Sequence, residues 1–447
     1  MENPYFNYSK AMVQVTRDWF LSRKALEKLV YRKLLSVLFS AYNHVPYYQM
    51  AMKMAGYNPE KHYSGVNDLQ YFPIVTKEAY KNNETDFLMQ GIDLEKCYCS
   101  HTSGSTGIPL RIYRTPYERA VQIAKWMRVL FINDYLPFYK VMSLSSPQIS
   151  GSQPSLIQRM GFFRRKIVDF LSSPEEITDF LLEYKPQVLY GNRQQLDFVA
   201  LELQRRNIRL SNLKLLIETG AIIRNNHKHF HQHQFGTPLV ESFGSEEMGT
   251  MAHETRNSEG QIICEDTTII EFLDDNNKPV GPDEPGRVVV TDLTNRLNPF
   301  IRYDHGDYAI YRYNILSDGS KQKVIKKILG RECDYVILPD GTHRLYYDFY
   351  DIISRFNGIR QCRIVQKSSY LVHMEIAAEK EYLSQITPDL LRRVVAAFPD
   401  EIEFIIVHKD AISPDPSGKI RMFITEVQSL PDLTPNMHRP MRRRGNN

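Results

Sequence analysis

An α/β fold in two parts is what this sequence predicts: a large multi-sheet N-terminal domain, followed by a small α+β domain. Three observations predict it. From about residue 140, short apolar runs at 141–144, 167–170, 188–190, 215–217 and 239–240 alternate with amphipathic stretches of helical length, the pattern of a parallel or mostly parallel sheet with helices between its strands. After about Gly330 the texture shifts to shorter elements. The length, 447 residues, is too great for one ordinary core and too small for more than about three. These bounds divide the chain into a first domain over residues 1–330, a second over 331–430 and a basic tail over 431–447.

Each element has a local reason. Over residues 20–58, Leu26, Leu29, Val30, Leu34, Val37 and Leu38 recur at helical spacing, and His44-Val45-Pro46-Tyr47 stops the run, so an N-terminal helical cap is expected. Ser173-Pro174-Glu175-Glu176 supplies an N-cap serine, a first-turn proline and a glutamate at the third helical position. Three apolar runs end in a glycine turn, at Tyr190-Gly191, Thr219-Gly220 and Phe243-Gly244, and ligands of open α/β sheets bind beyond such strand ends. In the second part, strands are expected at 363–365, 371–376 and 404–407. Helices are expected near 348–356 and from Thr387-Pro388 to about Phe398.

Composition excludes several classes. Hydrophobic residues at 42% and charged residues at 24% are those of a globular chain. The net charge of +4 is slight and partly terminal, in Arg439, Arg442, Arg443 and Arg444; with no aromatic residues interleaved, that segment reads as a solvated terminus and no nucleic-acid partner is expected. Five cysteines without a CxxC pair point to reduced thiols. The N-terminus lacks a signal pattern, and apolar stretches such as 34–39 fall far short of the roughly 20 residues that span a bilayer, so a cytoplasmic protein with no stable membrane insertion is expected.

Five segments can carry chemistry. Thr102-Ser103-Gly104-Ser105-Thr106-Gly107 packs four hydroxyls and two glycines into six residues, a loop offering N–H and O–H donors to phosphate, though not a Walker loop because Ile108 stands where that loop places Lys. Phe243-Gly244-Ser245-Glu246-Glu247 sets paired carboxylates at a strand end, suited to Mg²⁺ beside a polyphosphate. In Arg302-Tyr303-Asp304-His305-Gly306-Asp307 an aspartate after a glycine turn can accept ribose hydroxyls. Gly330-Arg331-Glu332-Cys333-Asp334 lies at the domain junction. Ser417-Gly418-Lys419-Ile420-Arg421 carries a lysine on a glycine turn, able to swing a point charge into a cleft. Taken singly, the first reads sooner as a linker, the paired glutamates as a solvated turn and Lys419 as a surface lysine.

In order and spacing, the five together resemble the core motifs of the adenylate-forming superfamily of acyl-CoA synthetases. The resemblance is greatest to the phenylacetate-CoA ligase branch and its relatives associated with capsular polysaccharide biosynthesis. Val45-Pro46-Tyr47-Tyr48, Phe72-Pro73-Ile74-Val75-Thr76-Lys77, Lys185-Pro186 and Thr291-Asp292-Leu293 ahead of Pro299-Phe300-Ile301-Arg302-Tyr303 extend it, over about residues 40–425. The resemblance implies ATP-dependent activation of a small-molecule carboxylic acid to an acyl-AMP with release of pyrophosphate, then transfer to a thiol, in the leading reading coenzyme A. It implies that residues 102–107 wrap the β- and γ-phosphates and that Gly220 and Ala221, with Ser242, Phe243 and Gly244, line the nucleotide site. Glu247 would ligate Mg²⁺, Asp307 the ribose and Arg331 the ribose or phosphate. Lys419, with Glu247 and Arg302 as further catalytic candidates, would bridge the α-phosphate and the substrate carboxylate, and 330–334 would be the hinge of a rotating second domain. Two other readings remain: transfer to an amine or hydroxyl acceptor in surface polysaccharide assembly, and a non-catalytic nucleotide-binding protein. Monomer and homodimer are both open.

The chain departs from relatives at Ile108 (commonly Lys), at Glu246 (Thr or Ser) and at Cys333-Asp334 (often two acidic residues). Some members bind zinc through a cysteine-rich loop after the Mg²⁺ motif; here 252–264 holds only Cys264, so no zinc is expected. His227, His229, His231 and His233 could, on a helix, offer a transition metal the pairs 227/231 and 229/233, but the resemblance makes this segment an amphipathic surface helix.

Overall fold

The computed structural model describes residues 4–102, 110–145, 156–169, 172–219, 225–331, 335–340, 343–345, 349, 352–353, 355–356, 358–413 and 423–427. The chain divides into two compact units, Met1–Ile223 with Lys228–Ile328, and Leu329–Asn447 with Arg224–His227.

The first unit opens with α1 (Pro4–Trp19), α2 (Arg23–His44) and α3 (Pro46–Met54), then the short α4 (Pro59–His62) and α5 (Lys77–Asn82). The helical run expected over 20–58 is thus two helices. Val45 is extended, and Pro46 opens α3 at its first turn, where a missing N–H costs nothing. Strands β1 (Tyr98–His101) and β2 (Arg111–Arg114) form an antiparallel pair. Next, α6 (Pro116–Ile132) starts from a capping box between Thr115 and Glu118.

The predicted alternation follows: β3 (Val141–Ser145), α7 (Leu156–Arg159), β4 (Arg165–Asp169), α8 (Pro174–Tyr184), β5 (Val188–Asn192), α9 (Arg193–Arg205), β6 (Leu215–Thr219), α10 (Asn225–Phe235) and β7 (Leu239–Ser245). Ser173 caps α8 as its sequence foretells, its Oγ accepting from Glu176 N while Glu176 accepts from Ser173 N. Six further strands follow: β8 (Gly249–His253), β9 (Gln261–Ile263), β10 (Thr268–Leu273), β11 (Pro285–Asp292), β12 (Tyr303–Ile315) and β13 (Lys321–Arg331), the last running past the end of the unit.

All eleven from β3 onward join one sheet, ordered β10-β11-β12-β13-β9-β8-β7-β6-β5-β3-β4. Its β3–β7 end is parallel, whereas β7–β8, β8–β9, β9–β13, β10–β11 and β11–β12 are antiparallel. The parallel expectation therefore holds for about half of the sheet. Leu189, Leu196, Val199, Leu203 and Leu216 pack between the parallel strands and their helices, and Leu34, Leu38, Tyr48, Phe87, Val288, Phe300 and Tyr303 fill the core between the N-terminal helices and the antiparallel strands.

In the second unit β14 (Tyr335–Ile337) pairs with β15 (His343–Leu345). A four-stranded sheet of β16 (Ile359–Ser368), β17 (Leu371–Ala378), β18 (Glu403–Lys409) and β19 (Phe423–Thr425), ordered β18-β17-β16-β19, is accompanied by α11 (Lys380–Val395). The three expected strands lie within β16, β17 and β18. The helix expected to open at Thr387-Pro388 starts at Lys380 instead and keeps Pro388 inside it, because Leu383, Leu390 and Val394 form one buried stripe that spans the proline. Phe398 lies 5.2 Å from Phe404, and Phe349 5.5 Å from Phe423, ring to ring, so an aromatic cluster fills this core. The tail, 431–447, lies outside the described residues.

Candidate functional site

Strands β6 and β7 run side by side, Thr219 opposite Ser242, and Thr219 Oγ1 donates to the Ser242 carbonyl at 2.9 Å. The carboxyl ends of both strands thus sit together where the sequence places a nucleotide. At Gly244 the backbone of β8 comes so close that a Cβ would lie 2.4 Å from the Gly249 carbonyl oxygen, which explains the glycine. The turn it begins carries Glu246 and Glu247.

That turn is clamped from beneath. Arg114, at the end of β2, donates Nη2 to the carbonyls of Glu246 at 2.5 Å and Glu247 at 2.9 Å. Lys125, buried on α6, donates to the Met248 carbonyl at 3.1 Å and reaches Asp292 at 3.4 Å. Burial lowers the pKa of both cations.

Glu247 is buried, with its Oε1 3.3 Å from Lys77 Nζ and accepting from the Tyr303 hydroxyl at 3.2 Å. Burial alone would raise its carboxyl pKa, but Lys77 and His305 outweigh it and hold the group below its ordinary value. Lys77 arrives because Val75 pairs with the backbone on both sides of Tyr303: Val75 N to Arg302 O and Asp304 N to Val75 O, both 2.9 Å.

On β12, Gly306 takes φ +77°. It returns the chain so that His305 Nδ1 meets Asp307 Oδ2 at 2.6 Å, while the His305 ring lies 5.3 Å from that of Phe243. Asp304 takes no share, being engaged by Arg287 at 2.7 Å. Phe243, Glu247, His305 and Asp307 are therefore neighbours, although 64 positions separate the first from the last.

Arg302 is placed differently. Its Nε and Nη2 grip Glu271 at 3.1 and 3.0 Å, and its Nη1 donates to the Phe72 carbonyl at 2.8 Å. With all three nitrogens engaged inside the protein, it ties residues 72–77 to β10 rather than reaching for a substrate. Thr102 is buried and closes the base of its loop, its Oγ1 accepting from Leu110 N and its N donating to Leu110 O. Ser103, Gly104, Ser105, Thr106, Gly107, Gly220, Ala221 and Lys419 lie outside the described residues, as does the side chain of Arg331.

The histidine segment forms α10. His229 and His233 are exposed; His231 is buried with Nδ1 3.2 Å from Glu218 and Nε2 2.8 Å from Asp197. Both of its ring nitrogens being used, His231 is not a free metal ligand. Among the described residues no three His, Cys, Asp or Glu side chains group to hold a metal.

Sequence reasoning missed Arg114, Lys125 and the pairing of Lys77 with Glu247. Lys77 lay in a recognised motif without a role; the other two carried no signal, since their partners lie more than a hundred residues away.

No protein-family model matches the chain. A curated relative, the phenylacetate-coenzyme A ligase of Thermus thermophilus, is 23% identical over 348 residues, 71% of this chain and 73% of that protein. The solved structure of a 2-hydroxyisobutyryl-CoA ligase in its postadenylation state superposes with a TM-score of 0.75 at 19% identity, over 91% of this chain and 90% of that one. An anthranilate CoA ligase with bound anthranoyl-AMP superposes at 0.55 and 14% identity, over 74% and 67%. These likenesses show that the chain shares the fold of those CoA ligase structures.

Proposed function

We propose that this ligase activates a carboxylic acid with ATP as an acyl-AMP, releases pyrophosphate and passes the acyl group to coenzyme A. The observation that carries the reading is Glu247: a buried carboxylate kept ionised by Lys77, on a turn whose carbonyls Arg114 and Lys125 hold, beside Asp307 at the strand ends.

The chemistry needs such an arrangement. A carboxylate approaching a triphosphate is repelled, and displacement at the α-phosphorus spreads charge over its oxygens, so catalysis consists of neutralising and positioning rather than of a dedicated base. Glu247 fits Mg²⁺, which takes one or two carboxylates and completes its shell with water and phosphate oxygens; the lysine ammonium at 3.3 Å marks the carboxylate as a cation's partner. Magnesium would supply charge neutralisation on the phosphates. Asp307, its imidazole-bound oxygen held in place by His305, would take the ribose hydroxyls. Arg302 positions residues 72–77 and through them Lys77. The loop 102–107 for the β- and γ-phosphates, Gly220 and Ala221 for adenine, Arg331 for ribose or phosphate, and Lys419 for the α-phosphate and substrate carboxylate complete the proposal, supported by their motif resemblance.

The test is pyrophosphate release against a panel of aryl, fatty and amino acids, with product analysis with and without coenzyme A. Acid-dependent release with an acyl-CoA product is expected. Release that yields product only with an amine or hydroxyl acceptor would move the second step to the surface-polysaccharide reading, and no release with any acid would overturn the first.

A further inference from the structure

Residues 135–168 contain no aspartate or glutamate but five basic residues, Lys140, Arg159, Arg164, Arg165 and Lys166, in a chain with 52 acidic residues. The same stretch exposes large apolar side chains: Phe138 is 53% exposed, Leu156 71% and Met160 66%, joined by Leu136, Ile157, Phe162 and Phe163. These belong to one surface. Phe163 N donates to the Pro137 carbonyl at 2.6 Å and Arg164 Nη2 to the Phe138 carbonyl at 2.9 Å, so the turn after α7 is stitched to the loop before β3. Phe162 N closes back onto the Ile157 carbonyl. The patch lies at the sheet margin, where β4 is the terminal strand.

A contiguous exposed apolar surface marks an interaction site, and its charge selects the partner. Exposed Arg159 and Lys166 share this stretch with exposed Leu156, Met160, Phe162 and Phe163, the composition of segments that sink apolar tips into a bilayer while their cations meet anionic headgroups. No helix among the described residues is long and apolar enough to cross a membrane, so attachment here is peripheral.

We propose that this face, built from residues 136–138 and 156–166, docks the ligase reversibly on an anionic membrane surface. The inference does not depend on the reaction proposed above. The test is co-sedimentation of the full chain with vesicles of phosphatidylcholine alone and of an equimolar mixture with phosphatidylglycerol. Binding to the anionic vesicles only, weakening as salt is raised and falling about tenfold in a Phe162→Ser/Phe163→Ser variant, is the expected result. The variant should keep the melting temperature and lipid-free activity of the parent. Equal binding to both vesicle types, no binding, or binding untouched by the variant would overturn it. So would light scattering that shows a dimer which the variant dissolves, since the patch would then belong to a second copy.

Discussion

A carboxyl group only 5% exposed would ordinarily hold its proton, yet Glu247 is kept ionised by the ammonium of Lys77 and the imidazole of His305. That charge is what a magnesium nucleotide would use. Glu247→Gln keeps the shape and the Tyr303 contact but removes the charge, so acid-dependent pyrophosphate release should fall on the order of 10²–10³-fold, with a raised magnesium requirement in a titration at fixed ATP. Unchanged release at limiting magnesium would remove Glu247 from the site. At Gly244, a methyl group would meet the Gly249 carbonyl. Gly244→Ala should therefore cost about 1–3 kcal/mol, read by denaturant unfolding, whereas a neutral result would mean that β7 and β8 separate more freely than their register implies.

At the scale of elements, His231 ties α10 to α9 through Asp197 and to β6 through Glu218. Burial alone would lower its pKa, but the two carboxylates raise it to about 9 from 6.5. The sign follows from linkage: the folded state holds the proton more tightly, so the stabilisation is fully present below about pH 6.5 and is lost as pH rises through about 9. Glu218, raised by burial despite His231, and Glu241, pushed up to about 7 by burial and by Glu254, likewise lose stability as pH rises, but from the carboxylate range upward. The melting temperature should decline from pH 7 to about 9, and His231→Gln should be less stable at pH 7 with a flatter profile over that window. A parallel decline in the variant would assign the pH dependence to other groups. The helices and parallel strands in this region were legible because each follows from near neighbours: the Ser173 cap and the apolar runs are read within a few residues. The antiparallel strands β8–β13 were not, since their pairing is decided by partners far along the chain.

For the whole molecule, Glu247 and Asp307, proposed for magnesium and the ribose, belong to the first unit, while Lys419, proposed for the α-phosphate, follows in the second. Lys419→Ala should accordingly leave ATP binding measurable and lower ATP–pyrophosphate exchange on the order of 10²–10³-fold; unchanged exchange would take Lys419 out of the mechanism. The sequence by itself determined the α/β class and the order of the motifs, because propensities, caps and spaced functional groups are written in local residue order. Only the tertiary structure decided that Lys77 neutralises Glu247, that Arg114 and Lys125 grip the backbone beneath it, and that Arg302 is spent on Glu271. Those contacts join segments that sequence distance keeps apart, and a buried charge is defined by what folding packs around it.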